Sequence, residues 1–167
     1  MKTFLFGALA LVLMGAGCSF GSSDSVDWDY DDGGDEMEWD ASAYQIPDGW
    51  DVDVQSPVAV SVGDEVIIAV TVTNNTGEDQ VLHSIDIGQT YLEGVAIIST
   101  DPVYSDSFLL DDGTYTHFFL VDVANGESAT VTFTGKALSA GDYQGALDVC
   151  IDDGLTCNFL QVRTVID

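Results

Sequence analysis

The chain has 167 residues, 29 of them acidic and three basic, for a formal net charge of −26. Nucleic-acid binding needs Lys and Arg to neutralise phosphates, and a basic patch is needed to hold anionic headgroups, so this composition excludes both. A charge this large keeps a protein soluble but pushes its compact state apart, unless salt screens it or divalent cations bind. The excess of Asp over Glu suits a saline habitat or calcium ligation.

At the N-terminus, Met1-Lys2 leads into an apolar run over 4–14 and then Gly15-Ala16-Gly17-Cys18. A short positive segment, about a dozen apolar residues and a small-residue cleavage site make a secretory signal peptide. The run is shorter than the roughly 20 residues of a spanning helix. Gly15-Ala16-Gly17-Cys18 resembles the lipobox of bacterial lipoproteins, with Gly15 where that family usually has Leu. The resemblance implies removal of 1–17, diacylation of Cys18, and a membrane partner held through the lipid anchor. Ser19 resembles the outer-membrane sorting class, should the host be Gram-negative.

Residues 18–45 would then be the lipidated cysteine and a tether of Ser, Gly, Asp and Glu with isolated aromatics. The segment has no periodicity and too little apolar content to bury, which predicts disorder. As a flexible chain, 19–44 would span about 28 Å and lift a domain off the lipid surface. Within it, Asp27, Asp29, Asp31 and Glu38 fall at positions 1, 3, 5 and 12 of a calcium-loop pattern. Position 6 holds Asp32 instead of the Gly that such a loop uses for its turn, so loose divalent binding is the alternative. Trp28, Tyr30 and Trp39 interleave with these acids, as in short segments that dock onto basic partners. Trp50 and Tyr44 are expected to seal the start of the fold.

From 46 onward the chain alternates apolar and polar residues between turns, the pattern of successive strands. Strands are predicted over 52–54, 58–62, 66–73, 81–87, 95–99, 115–123, 129–134, 143–151 and 159–166. Val66, Ile68, Val70 and Val72 should share one face, because the strand repeat is two. Eight or nine strands with close-set turns and no convincing amphipathic helix predict one antiparallel β-sandwich over 46–167. Setting Cys18 aside leaves Cys150 and Cys157, an even pair expected to form a disulfide in an exported chain. Asp153-Gly154 is a two-residue hairpin signal that sets the two cysteines opposite each other. That register is a hydrogen-bonded one, unless the loop is longer.

The run Val60-Ser61-Val62-Gly63-Asp64-Glu65-Val66, continuing to Asn74-Asn75-Thr76-Gly77, resembles the opening of bacterial surface Ig-like domains. Gly126 to Phe133 and Ala140-Gly141-Asp142-Tyr143 are similar to their later strands. The families in question are the CARDB-type adhesion domains and the conserved-repeat surface domains. The resemblance implies an Ig-like sandwich with Greek-key connections, used as an adhesion or spacer module. Tyr143 after Gly-Asp resembles the tyrosine corner of such folds. The Cys150–Cys157 hairpin lies outside the family pattern, and one copy stands here in place of an array.

Asp111-Asp112-Gly113 and Asp152-Asp153-Gly154 read as turns whose carboxylates could share an ion if the loops meet. His83 and His117 read as strand residues, and a copper or zinc site needs more His, Met or Cys. Hydrolysis needs a nucleophile beside an oriented base, and no nucleophile elbow, phosphate loop or dinucleotide fingerprint is present. The expectation is therefore a non-enzymatic, lipid-anchored envelope protein with an envelope protein or glycan as partner. Two alternatives stand beside it: a calcium-responsive module, or a subunit docked through the acidic-aromatic stalk.

Overall fold

The computed structural model describes residues 46–167. Alternation is clearest in β3 (Glu65–Asn74), where Val66, Ile68, Val70 and Val72 are all fully buried. Successive side chains point to opposite faces of a strand, and branched side chains pack well on a pleated, half-buried surface. β3 pairs antiparallel with β1 (Trp50–Gln55) on one side and β8 (Ser128–Ala137) on the other. β8 also pairs with β5 (Val95–Asp101), giving a four-stranded sheet in the order β1-β3-β8-β5.

The second sheet has six strands in the order β2-β10-β9-β4-β7-β6. Its members are β2 (Ala59–Val60), β4 (Gln80–Gly88), β6 (Asp106–Leu109), β7 (Thr114–Val123), β9 (Gly141–Ile151) and β10 (Thr156–Ile166). The two sheets enclose one core, in which Trp50, Ile68, Ile85, Phe133 and Leu147 are buried. The chain crosses between sheets from β3 to β4 and from β8 to β9, while β3 lies beside β8 and β4 beside β9. That is the Greek-key centre of an Ig-like sandwich, with β1-β3-β8-β5 in the places of strands A, B, E and D.

Three features differ from the expected layout. There are ten strands, because the four-residue β6 pairs with β7 at the sheet edge. The strand expected over 58–62 shrinks to Ala59–Val60, and it pairs parallel with β10 rather than antiparallel. A one-turn helix, α1 (Gln89–Leu92), fills the connection from β4 to β5. Its Tyr91 is fully buried, and the hydroxyl lies 3.0 Å from Thr164 Oγ1. Thr164 Oγ1 donates to the Pro57 carbonyl at 3.0 Å, so Tyr91 supplies the proton of its own bond. The turn 74–77 is held by Asn74, whose buried side chain donates to the carbonyls of Val123 at 2.7 Å and Glu78 at 2.9 Å. Its Oδ1 accepts from the Thr76 backbone at 3.1 Å and hydroxyl at 2.8 Å.

Candidate functional site

The residues singled out near the N-terminus lie outside the described residues. These are Cys18, the calcium candidates Asp27, Asp29, Asp31 and Glu38, and the docking candidates Trp28, Tyr30 and Trp39. Trp50 does seal the start of the sandwich, at 3 % exposure.

Cys150 and Cys157 form a disulfide and face each other across the β9–β10 ladder. The loop between the strands covers Asp152 to Leu155, since Ile151 pairs with Thr156. The longer loop is thus the one adopted, and the 4.0 Å Cα separation is close to that of a non-hydrogen-bonded pair. Unlike the inter-sheet bridge of antibody domains, this one lies within a sheet and clasps a hairpin. Asp86 Oδ2 approaches Cys150 Sγ to 3.8 Å. That is a contact only, because a disulfide sulfur has no proton to donate.

The two Asp-Asp-Gly turns do not meet. Thr114, just after Gly113, faces Gly88, and Ile151, just before Asp152, faces Leu82. Gly88 and Leu82 lie six residues apart on β4, about 20 Å along the strand. Each turn uses its own carboxylates: Asp112 accepts from the Thr114 amide at 2.9 Å, and Asp153 from Leu155 at 3.0 Å. That bond holds the Asp112 carboxyl below its ordinary pKa. Asp152 exchanges backbone and side-chain bonds with Val81 and so fastens the hairpin to β4.

The carboxylates that do converge are on strands. Asp86 of β4 sits opposite Asp148 of β9, with Thr116 of β7 on its other side. Burial first, then the charges of Asp86 and Asp112, push the Asp148 carboxyl up to about 6. Burial also raises Asp86, against the pull of the Thr116 and Ser84 hydroxyls and of His83. Neither cation of the described residues neutralises the pair. Arg163 forks onto Asp142 at 2.8 and 2.6 Å, and Lys136 is on the other sheet. The sequence carried a signal for this pair: Ser84-Ile85-Asp86-Ile87 and Leu147-Asp148-Val149 each place an acid in an apolar strand. Only the register brings the two together.

Both histidines are strand residues. His83 occupies an irregularity where the β4 register shifts, edge-on to Phe118 with ring centroids 5.2 Å apart. His117 is 4 % exposed and packs edge-on against Phe133 at 5.3 Å. Tyr143 opens β9 at the corner from β8. Its hydroxyl meets Ser139 Oγ at 2.7 Å and donates to the Ala140 carbonyl at 3.5 Å, the bonding of a tyrosine corner. Gly94 and Gly141 lie under its ring, where a Cβ would collide.

No protein-family profile matches the chain, and no curated protein matches it by sequence. Among solved structures it is similar to the C-terminal domain of the Streptococcus agalactiae AgI/II polypeptide BspA. The identity is 15 %, the TM-score 0.49, and the match covers 70 % of this chain and 50 % of that one. It is also similar to the C-terminal domain of the Streptococcus pyogenes antigen I/II-family protein AspA, with 17 % identity, a TM-score of 0.45, and coverage of 70 % and 46 %. A cohesin module from a Clostridium perfringens family 33 glycoside hydrolase shows 12 % identity and a TM-score of 0.46, covering 71 % of this chain and 98 % of that one. The chain thus spans about half the length of the two streptococcal structures. The likeness is one of backbone architecture, and the fold assignment above rests on strand order.

Proposed function

We propose that this is an exported, lipid-anchored protein of a bacterial envelope, presenting a non-catalytic Ig-like module on an acidic stalk. The Cys150–Cys157 disulfide carries the reading, because disulfides persist in oxidising compartments and are rare in the cytosol. The N-terminal run ending at Cys18 supports the same compartment and names the attachment atom, the Cys18 thiol. In this reading the module works by contact, as a binding or spacing unit for an envelope protein or glycan.

The test is fractionation of cells expressing the native chain and a Cys18→Ser variant. The native protein should sediment with membranes and carry an acyl mass on Cys18, while the variant should become soluble. Identical fractionation of the two, with no acyl mass, would overturn the anchor.

A further inference from the structure

We propose that an external thiolate opens the Cys150–Cys157 disulfide by one route, attack on Cys157 Sγ with Cys150 as the leaving group, and that Asp86 retards this step. The inference needs the bond but not the lipid anchor. Disulfides are exchanged when a thiolate attacks one sulfur and expels the other. The entering, attacked and leaving sulfurs lie close to one line, so the space behind each cysteine decides which one is reached.

The two ends of this bond differ in what stands behind them. Cys150 is 1 % exposed on β9, and the next strand is β4, whose buried Ser84 pairs with it. Asp86 Oδ2 of the same strand stands 3.8 Å from Cys150 Sγ. A thiolate entering there would have to displace a packed strand and approach a carboxylate of its own sign. Among the described residues, no strand stands behind Cys157. On that side β10 is paired by the two-residue β2 alone, at Val165 and Ile166, about 26 Å along the strand from Cys157. Cys157 is half-buried. Leu155 and Phe159, two residues to either side of it, are both exposed. The Gly154 carbonyl touches Cys157 Sγ at 3.7 Å, but it belongs to the hairpin's own loop.

In the exchange, the entering thiolate bonds to Cys157 Sγ and the bond to Cys150 breaks. The entering sulfur is oxidised, Cys150 is reduced, and its thiolate takes a proton from water. A second external thiolate then attacks the first one's sulfur, releasing an external disulfide and leaving Cys157 as the free thiol. The first step is the slow one. Exchange slows when the charge on the leaving sulfur is disfavoured, and Cys150 emerges buried and beside the Asp86 carboxylate. Apolar surroundings and a like charge both disfavour a thiolate. The fold thus leaves one sulfur open to attack and places an acid where the other must leave.

The experiment uses the full chain carrying Cys18→Ser, so that only this pair reports. Reduction of the folded protein by dithiothreitol should be first-order in the reagent, because the attack is direct. Exchange with glutathione, quenched in acid and mapped by mass spectrometry, should place the adduct on Cys157. Asp86→Asn should be reduced about tenfold faster, the effect on ionisation of removing a like charge at this distance. Two single-cysteine chains complete the test, each treated with the uncharged reagent methyl methanethiosulfonate. With Cys150→Ser, the remaining Cys157 should react about 100-fold faster than does Cys150 in the Cys157→Ser chain, since a buried thiol reacts through local opening. Should either chain fail to fold, the glutathione map on the intact pair decides. The proposal is overturned if reduction is independent of reagent concentration, if the adduct or the faster thiol is Cys150, or if Asp86→Asn is reduced no faster.

Discussion

Single side chains at the strand interior set the acid response of this protein. Asp148 has an ordinary pKa of 3.8 when free and about 6 in the fold. The native state therefore binds this proton more tightly, so the contribution of Asp148 to stability is fully present below about pH 4 and is lost as pH rises through 6. Asp86, raised in the same direction, reinforces the trend. An Asp148→Asn variant should flatten this part of the pH profile of the melting temperature. At pH 7 it should be more stable by about 1 kcal/mol, a value discounted because the carboxyl is only half-buried and partly screened. The opposite sign, a variant less stable at pH 7, would mean that the charged carboxylate is doing structural work.

The β9–β10 hairpin is the best-clasped element. It is joined by the disulfide and fastened to β4 through Asp152 and Val81. Closing so short a ring in the unfolded chain contributes about 2–3 kcal/mol on the chain-entropy estimate. Reducing the bond, or replacing both cysteines with Ala, should lower the unfolding free energy by about that amount while leaving the β-rich circular dichroism intact. Chemical denaturation of the two forms measures it. Free thiols alkylated in the unreduced native protein would contradict the bond itself. The same hairpin shows where turn chemistry stops being decisive. Asp153-Gly154 marked the turn, but the loop runs from Asp152 to Leu155, with Asp152 bonded to Val81 of β4 in place of Leu155 across the hairpin.

At the scale of the molecule, a formal charge of −26 makes the fold sensitive to ionic strength. The Debye length falls from about 30 Å at 0.01 M to about 8 Å at 0.15 M, so the melting temperature should rise most in that interval. A flat profile there would show that the charges are too dispersed to matter. Calcium and magnesium at matched ionic strength should act alike on the described domain, whose two Asp-Asp-Gly turns lie at opposite ends of β4. A calcium excess that a Glu38→Gln change removes would instead locate an ion in the Asp27, Asp29, Asp31 and Glu38 segment.

Much of the domain is legible in the sequence, because alternation and turns are local. The alternation of β3 needs only the residues of that strand, and it marks Val66, Ile68, Val70 and Val72 as core. The cysteine pair and the Tyr143 corner are local as well, each lying within a few residues of its partner. Tertiary structure alone decided the features that depend on a neighbouring strand. β6 is recognisable only from β7 beside it, and β2 is short and parallel because of where β10 runs. α1 is a single turn whose stability comes from burying Tyr91 and not from helical periodicity. The Asp86–Asp148 pair joins residues far apart in the chain, brought together by strand register. Backbone hydrogen bonds in a sheet are made between strands, so which side chains become neighbours is settled only when those pairings form.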